Sequence, residues 1–124
     1  MLDIQSFLAK TQELIALTKE AEERYKKGRE EGGEHDFFNV VKPSVERCEQ
    51  AVKSWLRESF SYIKEYRPKY MYEEQLNSVE ENLNEIVLQS YFCKIHKKRF
   101  KDLAESVLYT LKNIEDDILK GDRA

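Results

Sequence analysis

Apolar residues recur at three- and four-residue steps in four separate runs of this chain, the period of a helix with one buried face. The first stripe is Ile4, Phe7, Leu8, Thr11, Leu14, Ile15, Thr18 and Tyr25. Its run closes in "KKGREEGGEHD", where three glycines among charges predict a flexible connection. Asp36 is then placed to cap a short helical turn, "FFNVV", which Pro43 interrupts before opening the second long helix at its first turn. The second stripe is Val45, Cys48, Val52, Trp55, Leu56, Ser59, Ile63 and Tyr66, stopped by Pro68 because the residue before a proline is pushed out of the α region.

The third stripe runs Leu76, Val79, Leu83, Ile86, Val87, Ser90, and its next positions are Lys94 and Lys97. A core stripe cannot continue into two lysines, so the third helix should end near Cys93. The fourth begins about Lys98, carries Phe100, Leu103, Val107, Leu111, Ile114 and Ile118, and ends at Gly121. Helices of roughly 20–25 residues are ~30–37 Å long. Four of them with short second and third connections predict an all-α, antiparallel up-down-up-down four-helix bundle with a short extra helical turn before the second helix. No internal repeat or strand pattern competes with this reading.

Composition narrows the class. A chain of 124 residues is expected to form one domain, 1–124, large enough for a core without metal or disulfide staples. Only four Gly and two Pro leave little material for loops, and a net charge of −3 gives no global attraction to nucleic acid or acidic membranes. The longest unbroken apolar run near the N-terminus is "LIAL", which argues against a secretory signal or a membrane span. Cys48 and Cys93 form no C-x-x-C pair, so a cytoplasmic location with both thiols reduced is expected.

Three stretches carry a resemblance. "DFF…VKP" at 36–43, "YRPKY" at 66–70 and "IVLQSYFCKIHKKRFKD…ESVLYTL" at 86–111 together resemble the YppE-like family of small bacterial proteins. The resemblance implies a four-helix bundle in Firmicutes-type bacteria and no established activity. It brings no catalytic, cofactor or binding residue with it.

Few residues carry chemistry. A di-iron bundle needs Glu-x-x-His motifs facing inward; Gly32 and Cys93 stand three residues before the two histidines, His35 and His96. Cys93 and His96, spaced i and i+3, are weak metal candidates that His35 would approach across the same bundle end. Against this stands an ordinary role for Cys93 at the core edge and for His96 in a turn. No phosphate-binding glycine loop and no serine or cysteine with a histidine and an orienting acid can be read, so no catalytic residue and no cofactor are expected.

Two surface features remain. Lys94, Lys97, Lys98, Arg99 and Lys101 place five cations in eight residues, with Lys26, Lys27 and Arg29 at the same predicted end. Cations favour a helix C-terminus but oppose the positive start of the fourth helix, where only Asp102 relieves them. A nucleic-acid backbone or other polyanion is one reading and a solvated turn is the other. At the opposite end Tyr66, Arg67, Tyr70, Met71 and Tyr72, following Tyr62, read either as a cap over the bundle floor or as a partner surface. Thr11, Thr18, Ser59 and Ser90 lie on core stripes and raise the further expectation of a polar cavity, although helical Ser and Thr commonly bond a preceding carbonyl. Leu17 falls off its stripe and hints at one more contact. The reading that joins these features is a non-enzymatic protein-interaction bundle, with polyanion binding and small-molecule or metal binding as alternatives.

Overall fold

Asp3 starts the first helix, its carboxylate accepting from the backbone N–H groups of Gln5 and Ser6 at 3.0 and 3.2 Å. The computed structural model describes residues 2–121. It contains α1 (Ile4–Glu31), a π-helical turn (Phe37–Val41), α2 (Lys42–Tyr66), α3 (Glu73–Phe92) and α4 (Lys97–Lys120), with no strand among the described residues. α1 packs on α2, α3 and α4, and α3 packs on α2 and α4. This is the expected four-helix bundle, flattened so that α1 and α3 meet across the middle with α2 and α4 on either side.

Small residues on α1 permit that close approach. Thr11, Thr18 and Ala21 are buried, and a Cβ added to Gly28 would lie 2.5 Å from Cys93 Sγ at the end of α3. The first connection is therefore shorter than expected. α1 runs through Gly28 to Glu31, and only residues 32–36 link it to the π turn. Gly28 serves close packing there, not chain flexibility.

Every residue of the third stripe is buried; the second is buried at Cys48, Val52, Trp55 and Ser59, and the fourth at every position but Leu103. Trp55 is fully buried and its indole N–H donates to Thr11 Oγ1 at 3.0 Å. Leu17 packs half-buried against the core, at its edge. The hydroxyls on the core stripes, which raised the alternative of a polar cavity, each bond a carbonyl of their own helix. Thr11 donates to Phe7 O, Thr18 to Leu14 O, Ser59 to Trp55 O and Ser90 to Val87 O, all within 2.9 Å.

Asp36 caps the π turn through the backbone and side-chain amides of Asn39, which hold its carboxyl below the usual carboxylate range. Pro43 stands in the first turn of α2, as expected, but without a break before it: the π turn ends at Val41, itself in α geometry, and flows into α2. A proline at 43 offers no N–H to the Asn39 carbonyl and would press against it in an α-helix, and the wider π turn is one way to avoid that clash. α2 stops at Arg67 and α3 at Cys93, both left-handed, and Gly121 ends α4 as expected.

Candidate functional site

The end of the bundle built from the close of α1, the π turn and the α3–α4 turn gathers most of the residues singled out by sequence. Its inner layer is aromatic. The Tyr25 and Phe100 rings stack with centroids 3.9 Å apart and planes within 6°, and the Tyr25 hydroxyl donates to Ile95 O at 2.5 Å, pinning the turn. Arg24 donates from Nε to Ser90 Oγ at 2.8 Å while its guanidinium lies 4.1 Å from the Tyr91 ring centre. His35 meets the same ring edge-on at 5.1 Å.

The five cations do not form one patch. All are exposed, but Lys97 and Lys101, one helical turn apart, line a cleft of about 550 Å³ against α1 together with Lys26 and Arg29. Lys94 lies in a different hollow with His35, Tyr91 and Phe92, and Lys98 and Arg99 line neither. No acidic residue stands in the first turn of α4. Glu22, on the cleft wall, has its carboxyl raised by partial burial against the opposing pull of Lys112 and Lys19. A larger hollow of about 700 Å³ lies between the start of α1 and the end of α2, but Asp3, Glu58 and Glu65 outnumber Arg57 and Lys64 there and no aromatic residue lines it.

Cys93, His96 and His35 each have separate work. Cys93 Sγ packs on Gly28 and donates to Ser90 O and Tyr25 O at 3.5 and 3.7 Å, and burial pushes its thiol up. His96 caps α4, its Nδ1 accepting from Lys98 N–H at 3.2 Å. Among the described residues no three His, Cys, Asp or Glu side chains come together as a metal site. Cys48 is buried, donates to Asn84 and is pushed up to about 12, which keeps it a neutral thiol.

The tyrosine end divides in two. Tyr62 is buried between Phe7 and Tyr66, with ring centres at 5.0 and 5.2 Å, and its hydroxyl donates to Asp117 across from α2 to α4. Tyr66 and Met71 are half-buried, whereas Arg67, Tyr70 and Tyr72 are exposed. Tyr72 precedes α3 without a short side-chain acceptor, so only half of a capping box forms, with its N–H donating to Gln75 Oε1 at 3.0 Å.

Sequence reasoning missed a third feature. Phe37, Phe38, Val40 and Phe92 are all exposed at the π-turn end. The signal was present, since "FFNVV" holds four apolar residues in five positions and so short a turn has one inward side. Only Val41 occupies it.

Known proteins share this arrangement. A model of a bacterial domain of unknown function, DUF1798, matches residues 11–118. The chain belongs to this family. Within it, the uncharacterized protein YppE of Bacillus subtilis is 42% identical over 118 residues, 95% of this chain and 96% of its own length. The crystal structure of B. subtilis YppE matches with a TM-score of 0.93 at 41% identity, over 97% of this chain and 98% of that one. A protein of unknown function from Listeria innocua shares the fold at a TM-score of 0.92 and 24% identity, over 98% of this chain and 97% of its own. The resemblance to YppE and the four-helix expectation both hold for this DUF1798 chain. No helix among the described residues is long and apolar enough to cross a membrane.

Proposed function

We propose that this DUF1798 protein works in the cytoplasm by binding another protein, without chemistry of its own, through the surface formed by the π turn and the last turn of α3. The observation that carries this reading is the exposure of Phe37, Phe38, Val40 and Phe92, at 45, 73, 42 and 44%. Fully burying such a side chain is worth ~1.5–3 kcal/mol, so a partner covering several of them gains a large driving force. The Asp36 cap and continuity with α2 hold the π turn in place, which lowers the ordering cost of docking. Exposed aromatics grouped at one end are the kind of surface that partners use.

Cross-linked capture from a lysate of the native host tests this. A partner should be retained by the wild-type protein and by Tyr70→Ala/Tyr72→Ala, and lost with Phe37→Ser/Phe38→Ser. Recovery unchanged by the phenylalanine substitutions overturns the proposal.

The polyanion reading draws on the exposure of Lys94, Lys97, Lys98, Arg99 and Lys101 near one turn. Their division among different faces supports it less well than one continuous stripe would. A labelled oligonucleotide that fails to bind at low salt removes it.

A further inference from the structure

Phe37 is not only exposed; it forms one wall of a hollow of about 260 Å³ between the start of α2 and the end of α3. Val45 and Leu88 supply the other apolar walls, and Lys42, Glu46 and Glu49 complete the lining. The α2 residues fall at i, i+3, i+4 and i+7 and so share one helix face, while Leu88 shares its face of α3 with Phe92 one turn on. Two facing helices closed off by a ring make a short groove. Phe38 braces that ring from outside, edge-on to Phe37 at 5.4 Å.

Size and lining say what enters it. Small-molecule sites occupy ~300–1,000 Å³, whereas an apolar cavity of ~150 Å³ already holds benzene. At about 260 Å³ the hollow has room for one leucine or phenylalanine side chain. No hydroxyl, amide or histidine lines it to orient a polar ligand. Lys42, Glu46 and Glu49 are exposed, so their charged ends reach water.

Area says what carries that side chain. With ~150–250 Å² for a whole aromatic side chain, the exposed fractions of Phe37, Phe38 and Phe92 leave roughly 250–400 Å² uncovered. A stable dimer or a docked domain covers ~800 Å² a side, about twice what these rings offer. A short segment needs no more than they provide. With no strand among the described residues, there is no sheet edge for an extended segment to join, whereas a groove between two helices accepts a third.

We propose that the partner presents a short amphipathic helix. One of its large apolar side chains enters the Phe37–Val45–Leu88 hollow, and a second, one turn away, lies against Phe92. This rests on the reading of the π-turn end as a docking surface and adds to it the seat and the chemistry of the occupant.

Panning a displayed library of random peptides of about 16 residues, roughly four helical turns, against the full chain tests it. Enriched sequences should pair large apolar residues at i and i+3 or i+4. The best of them should lose about tenfold in affinity when its anchor becomes alanine, a change that leaves the protein untouched, and about tenfold against Leu88→Ser. Tyr70→Ala/Tyr72→Ala, at the other end, should change it less than about twofold. Leu88 is half-buried, so folding of its variant is verified by unchanged amide dispersion. No enrichment, or enriched sequences without that spacing, overturns the proposal. Peptides lost with Phe37→Ser/Phe38→Ser but kept by Leu88→Ser overturn the groove and leave the docking surface standing. Sedimentation that shows a wild-type dimer, dissolved by Phe37→Ser/Phe38→Ser, overturns the proposal by putting a second copy there.

Discussion

Both ends of the bundle have an inner aromatic plug and an outer ring of exposed aromatics, but the two outer rings differ in chemistry. At the α2–α3 end the exposed rings are Tyr70 and Tyr72, at 81 and 57%, and each keeps a hydroxyl that water can satisfy. At the π-turn end they are Phe37, Phe38 and Phe92, with no polar handle. An exposed tyrosine is thus an ordinary solvated residue as readily as a contact, while grouped exposed phenylalanines ask for a cover. The inner plugs differ as well. Phe7, Tyr62 and Tyr66 pack as tilted rings, whereas Tyr25 and Phe100 lie flat on each other.

The largest effect should come from breaking the inner plug at the tyrosine end. Tyr62→Ala removes a fully buried ring and its hydroxyl contact to Asp117, and urea unfolding should show a loss of ~3–5 kcal/mol. Tyr70→Ala, one layer out, should cost less than about 0.5 kcal/mol. If both substitutions cost the same, inner and outer layers at this end are not distinct.

Next in size is the contact that closes the opposite plug. Gly28→Ala puts a methyl group where Cys93 Sγ now sits, so overpacking of ~1–3 kcal/mol opposes the ~1 kcal/mol that alanine gains over glycine within a helix. In a Cys93→Ala background that obstacle is gone, and Gly28→Ala should stabilise by ~1 kcal/mol. Additive effects in this double-mutant cycle would mean that α1 and α3 are not held together at this point.

This contact also marks where sequence stopped being informative. The stripes through Leu76–Ser90 and Phe100–Ile118 could be read because each buried position repeats at the helical period. Gly28 could not, because a glycine among charges reads as a linker unless the cysteine sixty-five positions later is known to press on it. The same holds for Lys26, Arg29, Lys97 and Lys101: the cations were visible, but periodicity does not say which of them share a cleft. The phenylalanines of "FFNVV" were legible as apolar and not as exposed, since that depends on the π turn having a single inward side.

A smaller effect is expected at the start of α4. His96 Nδ1 accepts the Lys98 N–H, and His96→Ala should lower stability by ~0.5–1 kcal/mol through loss of the cap. His96→Asp should restore or exceed the wild-type value, because it supplies both an acceptor and a negative charge where the helix and its lysines lack one. Equal stability of the alanine and aspartate variants would show that this end is not limited by its unanswered positive charge.

The smallest change in stability should come from the residues on which the comparison rests. Phe37→Ser/Phe38→Ser removes two rings that touch each other edge-on at 5.4 Å and are 45 and 73% exposed, so little core packing is lost. Urea unfolding should move by less than about 0.5 kcal/mol per site, in either direction, since serine also ends the exposure of apolar surface. A loss of 2 kcal/mol or more would place these rings among the supports of the fold, like Tyr62, and the two ends would then differ only in which aromatic they use. A near-zero change leaves exposed phenylalanines that stability does not require, as the proposed docking surface demands.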